Sequence, residues 1–293
     1  MLELKQYIEK QKNWFNRELK RLLEELTSPA RLKSSILYSI EAGGKRFRPI
    51  LMMAAFEQFS NDLNKVVYPA AALEMIHTYS LIHDDLPAMD DDDFRRGKPT
   101  NHKQFDEATA ILAGDGLLTH AFYIINATSN LEAEEKVFIS KELALAAGPE
   151  GMVAGQMMDL EGEQEELSID QLNHIHLLKT GRLIQFAITA GAYLGGATPP
   201  QIEMLYDYGK YIGLIFQIQD DILDVIGNEA LLGKRTGSDE RGHKSTYPKL
   251  LGLERAKQMK VDYMEKAKES LQKANIQTGY LYEIIDYLGN RDH

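Results

Sequence analysis

Apolar residues in this chain recur with the spacing of an α-helix, and no segment alternates apolar and polar residues for long enough to indicate a β-strand. Residues 66–82 and 108–125 are apolar on nearly every side, which is typical of helices at the centre of a bundle. No linker rich in Gly, Ser or Pro divides the chain. The sequence therefore predicts a single all-α domain over residues 1–293, a bundle of about ten or more helices.

Charge and composition exclude several classes of protein. The formal net charge is −11, and an acidic surface disfavours nucleic acid as the main partner. There is no cysteine, so disulfides and thiolate metal sites are excluded. The N-terminal segment mixes charges and has no apolar core typical of a signal peptide. The longest uncharged run, residues 183–202, contains glycines and two prolines. We therefore expect a cytoplasmic protein with no membrane span.

The segment HDDLPAMDDDDFRRG, residues 83–97, places six aspartates within ten positions. Such a run is either a solvated acidic turn or a site for a hard divalent cation, because crowded carboxylates repel one another unless a cation neutralises them. Asp84 and Asp90 are six residues apart and would lie on different faces of a regular helix. Pro87 disfavours helical geometry just before it. We expect the helix to end at about Asp85 and the chain to bring Asp90 back toward Asp84.

A second aspartate cluster lies in FQIQDDILDV, residues 216–225. Asp220 and Asp224 are four residues apart, so they share one face of a helix. A solvated polar stripe is the alternative, but Ile218 and Ile222 surround the cluster with apolar surface that favours a site. We expect the two clusters to face each other across a cavity and hold several metal ions.

Basic residues accompany both clusters, and each of them alone is usually a surface cation. Metal ions held by carboxylates need an anion to complete their coordination, and a diphosphate would meet that need. The segment GGKRFRP, residues 43–49, does not match a nucleotide P-loop. Together these residues favour two diphosphate sites, one with metal ions and one without. The cations considered are Lys45, Arg46, Arg48, Arg95, Arg96, Lys179, Lys234 and Lys244.

The chain resembles trans-isoprenyl diphosphate synthases along its whole length. HDDLPAMDDDDFRRG and IQDDILDVIGN are similar to the two aspartate-rich motifs of that family. GGKRFRP, GMVAGQMMDL and KTGRLI stand in the family's order. One such aspartate motif is weak support, but two of them with GGKRFRP and the Lys-Thr pair are highly specific. The resemblance implies an all-α bundle around a central cavity, usually in a homodimer.

The resemblance also implies a reaction, a cofactor and a set of site residues. Isopentenyl diphosphate would condense head-to-tail with dimethylallyl and geranyl diphosphates, with Mg²⁺ as cofactor, about three ions per site, and Mn²⁺ as a substitute. The metal residues would be Asp84, Asp90, Asp220 and Asp224, with Asp85 and Asp221 in support. The allylic diphosphate would meet Arg95, Lys179, Thr180, Gln217, Lys234 and Lys244. The metal-free pocket for isopentenyl diphosphate would consist of Gly44, Lys45, Arg48, His77 and Arg96.

The family's mechanism assigns further roles. The Thr180 carbonyl and the Gln217 side chain would stabilise the allylic cation, and the departing diphosphate would take the final proton, so no protein base is assigned. The glycines and lysines of segment 227–248 suggest a lid, and whether it closes on substrate stays open.

Product length is a separate expectation. The product would run along the helix that carries Asp84, and Tyr79, with Ser80 beside it, would close the pocket at the fifteen-carbon farnesyl length. The first motif has two extra residues, as in bacterial members that stop there. Products of ten or twenty carbons stay open. Tyr79 and His77 have the alternative of being packed core residues, and we interpret His83 as structural.

Rival classes fit the sequence less well. His83-Asp84 is also the pair typical of HD-type metal phosphohydrolases, but that class gives no reason for the second aspartate cluster or for the cations. A terpene cyclase would need a different second metal motif. A calcium-binding module would need EF-hand spacing, which DDDDFRRG lacks. A non-catalytic subunit would be expected to have lost an aspartate motif.

Overall fold

The computed structural model describes residues 2–163, 165–226 and 245–291, and most of these residues are helical. The all-α prediction is confirmed. In chain order the α-helices are α1 (Leu2–Glu24), α2 (Ala30–Glu41), α3 (Phe47–Phe56), α4 (Val67–Asp84), α5 (Asn101–Gln104), α6 (Glu107–Ala127), α7 (Ala133–Ala147), α8 (Met152–Gly162), α9 (Ile169–His176), α10 (Arg182–Gly195), α11 (Pro199–Ile226), α12 (Tyr247–Leu251), α13 (Leu253–Lys273) and α14 (Tyr280–Gly289).

Three short elements interrupt the α-helices in the described residues. Leu63–Lys65 forms a 3₁₀ turn, and Leu177–Gly181 forms a π-turn between α9 and α10. A small hairpin pairs β1 (Phe94–Arg95) with β2 (Lys98–Pro99) in antiparallel fashion, with Phe94 opposite Pro99. The sequence did not predict this hairpin, because strands of two residues are too short to show an alternating pattern.

The chain divides into two compact units. The N-terminal unit comprises Lys5–Met53 and Asp62–Ser140. The C-terminal unit comprises Met1–Leu4, Ala54–Asn61 and Lys141–His293, of which the described residues are considered. The single-domain prediction stays a prediction.

Helix α4 is the centre of the N-terminal unit and packs against α6. Its apolar residues are buried on all sides, as the sequence predicted for residues 66–82. Leu73, Met75 and Ile76 are fully buried, and each contributes about 1.5–3 kcal/mol relative to an exposed side chain. Gly114 of α6 lets α6 approach α4 closely, because a Cβ there would lie 2.2 Å from Nε2 of His83.

A buried ion pair fixes the segment before α3 to α4. Nη1 of Arg46 donates to Oε1 of Glu74 at 2.6 Å, and the two side chains are only 3% and 2% exposed. Arg46 also donates to the carbonyl of Ile40 and to Oδ1 of Asn16. Arg46 therefore has a structural role within GGKRFRP, since its guanidinium is buried and hydrogen-bonded inside the N-terminal unit.

Helix α11 is the longest described helix of the C-terminal unit and packs against α10 and α13. Its buried face includes Leu205, Ile212 and Ile215. The hydroxyl of Tyr208, also fully buried, donates to the carbonyl of Leu281 at 2.8 Å, which satisfies its polar end.

Among the described helices, α6 alone is long and apolar enough by length and composition to cross a membrane. Ala113 and Leu117 of this helix are buried within the N-terminal unit. A core helix of a soluble protein passes the same test, so the absence of a membrane span stays a prediction.

We expect Glu74→Ala to lower the free energy of unfolding by about 3–5 kcal/mol, because it leaves the buried Arg46 guanidinium without its counter-ion. The matched control is Glu24→Ala, which removes an exposed helix pair with Lys20 and should cost less than about 1 kcal/mol. Urea unfolding of both variants checks this. Equal losses for the two variants would contradict the structural role of Arg46.

Candidate active site

Helix α4 ends at Asp84, and Asp85 is its C-cap. The chain then turns back on itself, because the N–H of Asp90 donates to the carbonyl of Asp84 at 2.9 Å and that of Asp91 donates to Leu86 at 3.2 Å. The predicted helix end and the return of Asp90 toward Asp84 are confirmed at the level of the backbone. Pro87 is the physical reason, since it cannot continue the helix.

Asp85 points into the N-terminal unit and pairs with Arg95 of the hairpin. Its Oδ1 accepts from Nε of Arg95 at 2.6 Å and lies 2.5 Å from Nη2. Asp85 is 3% exposed, and this burial raises the pKa of its carboxyl, while Arg95 opposes the rise. Arg95 also reaches Asp92 at 3.3 Å. Asp85 therefore anchors the arginine predicted to meet the allylic diphosphate.

Gly44 and Arg96, both predicted for the isopentenyl pocket, lie in direct contact. Arg96 donates to the carbonyl of Gly43, and a Cβ on Gly44 would lie 2.6 Å from Cζ of Arg96. Gly44 has φ +130°, a conformation that side chains rarely adopt. Lys45 follows in the same turn, before α3. Only glycine gives Arg96 room here.

Arg48 and His77, from the same predicted set, also meet. Nη1 of Arg48 lies 3.2 Å from Nε2 of His77, and since arginine cannot accept a hydrogen bond, the imidazole nitrogen accepts it. Burial and then Arg48 and Arg96 hold the pKa of His77 well below its ordinary value. His77 is therefore a neutral acceptor that fixes the Arg48 guanidinium.

A cavity of about 30 Å³ in the N-terminal unit collects three of these residues. Asp85, Arg95 and Arg96 line it together with Thr78 and Asn101. The hairpin β1–β2 and its turn place both arginines at this cavity, so two positive charges face the same volume.

Of the predicted chain-length residues on α4, Tyr79 is buried and Ser80 is half-buried. Tyr79 is 6% exposed, and its ring meets that of His83 edge-on at 5.7 Å. Ser80 donates to the carbonyl of His77 at 2.9 Å. Nε2 of His83 donates to the carbonyl of Ile111 at 3.1 Å, which agrees with a structural histidine. The role of Tyr79 as a floor stays a prediction.

In the C-terminal unit, Lys179 and Thr180 lie within the π-turn, where the N–H of Arg182 donates to Leu177. Turns of this kind are rare and often occur at functional sites. Glycines hold the turn on two sides. A Cβ on Gly155 of α8 would lie 2.2 Å from the backbone nitrogen of Lys179, and one on Gly213 of α11 would lie 2.8 Å from Cα of Gly181. The position of the turn thus depends on backbone contact.

A cavity of about 160 Å³ brings together some of the predicted residues of this unit, but the predicted metal residues Asp220 and Asp224 are not among those that line it. Lys179, Thr180 and Gln217 line it, as the sequence predicted for one substrate. The other lining residues are Asp159, Gly162, Glu163, Leu167, Leu172, His176, Asp221, Ser245 and Thr246.

Sequence reasoning assigned no role to Asp159 or His176. Nζ of Lys179 donates to Oδ2 of Asp159 at 2.6 Å. Nε2 of His176 is buried and has no hydrogen-bond partner among the described residues. Burial lowers the pKa of His176 to about 4. The motif GMVAGQMMDL, which carries Asp159, was the sequence feature that could have indicated a role for Asp159.

Asp221 orients Gln217. Its Oδ1 accepts from Nε2 of Gln217 at 3.0 Å, and its Oδ2 accepts from the N–H of Tyr247 at 3.0 Å. Asp221 is 3% exposed. Asp221 therefore holds the amide nitrogen of Gln217, while its predicted support of metal binding stays a prediction.

The predicted metal residues lie in the chain as two pairs of carboxylates. Asp84 and Asp90 are joined through their backbone, and Asp220 and Asp224 are one turn apart on α11. Within the described residues, no group of three or more His, Cys, Asp or Glu is arranged to hold a metal ion. Mg²⁺ is usually bound by one or two carboxylates, with waters and substrate phosphates completing the shell, and each pair fits that pattern.

A model of polyprenyl synthetases matches residues 29–285. This chain belongs to the polyprenyl synthetase family. The family prediction is confirmed, and the HD-type phosphohydrolase and terpene cyclase alternatives are left without support.

Several relatives within this family are similar over nearly their whole length. The farnesyl diphosphate synthase of Geobacillus stearothermophilus is 47% identical, covering 100% of this chain and 99% of the relative. That of Bacillus subtilis (strain 168) is 46% identical over 99% of each chain. The crystal structure of a geranyltransferase from Legionella pneumophila matches with a TM-score of 0.86 and 38% identity, covering 99% of this chain and 98% of that one.

Two predicted polyprenyl synthetase residues, Lys234 and Lys244, lie outside the described residues, as does most of the predicted lid 227–248.

We expect Gly155→Ala to lower turnover by about a hundredfold, because the added Cβ must displace the backbone that carries Lys179. The control is Gly116→Ala, whose Cβ would make an ordinary contact of 3.6 Å with Ile36. Steady-state kinetics of both variants check this. Unchanged turnover for Gly155→Ala would show that the turn tolerates displacement.

We expect His176 to destabilise the fold as the pH falls from 6.5 to about 4. In this range the unfolded chain binds a proton that the folded chain does not, so the unfolding free energy drops by at most about 1.4 kcal/mol per pH unit for this group. His176→Gln should flatten the pH profile of urea unfolding. The exposed His174 gives the matched control His174→Gln, which makes the same substitution outside the buried position. Identical profiles for wild type and His176→Gln would contradict the assignment.

Proposed function

We propose that this chain condenses isopentenyl diphosphate head-to-tail with dimethylallyl diphosphate and then geranyl diphosphate to give farnesyl diphosphate. The observation that carries the proposal is the cavity of about 160 Å³ lined by Lys179, Thr180 and Gln217, in a chain that matches relatives named farnesyl diphosphate synthase over nearly their whole length. The enzyme is a soluble, cytoplasmic prenyltransferase that acts as a homodimer.

The reaction begins when the bond between carbon 1 and oxygen of the allylic substrate breaks and the electron pair leaves with diphosphate. Lys179 and Arg95 bind this diphosphate, with Lys234 and Lys244 in the same role. The Thr180 carbonyl and the amide oxygen of Gln217 stabilise the positive charge on the allyl group. The nitrogen of that amide donates to Asp221, so the oxygen is the end that a cation would meet.

The second substrate supplies the new carbon–carbon bond. Gly44, Lys45, Arg48, His77 and Arg96 bind isopentenyl diphosphate. Its double bond attacks carbon 1 of the allyl group, and the proton then lost from the adduct passes to the departing diphosphate. Neutral His77 fixes Arg48 without adding positive charge or serving as a base. No protein base is required.

Mg²⁺ is the proposed cofactor, about three ions per site, with Mn²⁺ as a possible replacement. When bound, Mg²⁺ neutralises the charge that develops on the leaving diphosphate. Asp84, Asp90, Asp220 and Asp224 offer the carboxylates that would hold it.

A twenty-carbon product is the second candidate. A chloroplastic geranylgeranyl pyrophosphate synthase from Capsicum annuum is 44% identical over 90% of this chain and 73% of the relative. Family membership therefore does not decide product length, and we propose that Tyr79 limits it.

With Mg²⁺, dimethylallyl diphosphate and labelled isopentenyl diphosphate, we expect the wild type to form mainly the fifteen-carbon product. Tyr79→Ala should extend the product to twenty carbons or more, because it removes the buried ring that would close the pocket. Tyr79→Phe keeps the ring and should keep the product at fifteen carbons. Chromatography by chain length is the measurement. A twenty-carbon wild-type product would favour the second candidate, and no condensation would reject the proposed reaction.

A further inference from the structure

The last described residue, Arg291, lies against the face of α11 that carries Asp220. Its Nη2 contacts Oδ1 of Asp220 and donates to the carbonyl of Phe216 at 3.1 Å. Its Cζ lies 4.3 Å from the centroid of the Phe216 ring. Phe216 and Asp220 are one helical turn apart, so a single guanidinium spans the turn.

The backbone of this C-terminal segment is anchored independently of the guanidinium. Nε2 of Gln219 donates to the carbonyl of Arg291 at 2.7 Å. Lys260 of α13 donates to Oε1 of Gln219 at 2.7 Å and to the carbonyl of Gly289 at 2.5 Å. The backbone and the guanidinium of Arg291 are therefore both held by hydrogen bonds. This limits the conformational entropy that is lost when Arg291 holds the Asp220 side chain.

Burial differs sharply between the two partners. The Arg291 side chain is 5% exposed, whereas that of Asp220 is 41% exposed. The guanidinium lies beneath the carboxylate and holds it through Oδ1, so Asp220 keeps a solvent-facing side on which a cation can bind. A buried guanidinium needs a counter-ion, which makes the contact hard to break.

We propose that Arg291 is a positioning residue for Asp220 and that the C-terminal segment is thereby part of the cation site. This inference rests on the proposed function. Arg291 lies beyond the family match, which ends at residue 285. Partners that hydrogen-bond to a metal-binding carboxylate fix its orientation, and their loss usually reduces metal affinity or activity by about 10–100-fold.

The test measures the Mg²⁺ concentration at half-saturation, with inorganic diphosphate present, from the shift in unfolding temperature. Arg291→Gln should raise this concentration by about tenfold or more, although it removes a positive charge that would otherwise repel the cation. Arg291→Lys restores the charge and part of the contact and should recover part of the affinity. If Arg291→Gln fails to fold, Arg291→Lys alone should still raise the half-saturation above that of the wild type.

Two controls separate positioning from charge and from stability. Arg255→Gln makes the same charge change at an exposed position of α13. Lys260→Gln loosens the same segment without touching Asp220. Arg255→Gln should leave the half-saturation within about twofold of the wild type, whereas Lys260→Gln should raise it by less than Arg291→Gln does, because the contact between Arg291 and Asp220 stays in place.

A double mutant tests the coupling directly. In an Asp220→Asn background, Arg291→Gln should change the Mg²⁺ requirement no further, because the residue that it positions is already altered. An additive effect would overturn the inference. So would tighter Mg²⁺ binding by Arg291→Gln, which would make Arg291 a competitor of the cation, or a response equal to that of Arg255→Gln.

The proposed function is judged separately in the same samples. Absence of any prenyl product from the wild type rejects the proposed reaction, while the thermal titration still decides whether Arg291 supports cation binding. A product formed by a wild type with no Mg²⁺ response in the titration would reject the inference and leave the reaction in place.

Discussion

Pairing of carboxylates with cations holds the basic side chains of the candidate site in position. Asp85 holds Arg95 in the N-terminal unit, while Asp159 holds Lys179 in the C-terminal unit. The Asp85 carboxylate is buried, and a buried carboxylate without a partner costs several kcal/mol, so its pair also fixes the hairpin that carries Arg95. The proposed reaction would need both charges present and oriented before substrate arrives, because reorganisation during the reaction would raise the barrier.

Close backbone contact is the second constraint, and it acts where side chains are absent. Gly155 and Gly213 hold the π-turn from two sides, so its carbonyls and Lys179 are placed by backbone packing. Gly44 plays the same part for Arg96. These positions leave no room for a methyl group. The packing of the surrounding helices therefore sets the positions of Lys179 and Arg96.

Helical periodicity and turn chemistry predicted much of this architecture. The apolar run of residues 66–82 is the buried helix α4, and Pro87 predicts where that helix ends. Such signals are local, since they depend on the spacing of residues within a few turns. The roles within GGKRFRP were not predictable in the same way. Arg46 and Arg48 are two residues apart and chemically alike, yet Arg46 is committed to the buried Glu74 and Arg48 meets His77.

The sequence by itself determined the helical class, the family and the residue types of the site, because periodicity and motif order are properties of the chain. The tertiary structure decided which charges meet. Asp159 and Lys179 are 20 residues apart, and Asp220 and Arg291 are 71 residues apart. Neither pairing leaves a trace in local spacing. Partner choice at such separations is set by how helices pack and which side chains packing removes from water, and that energy exists only in the folded chain.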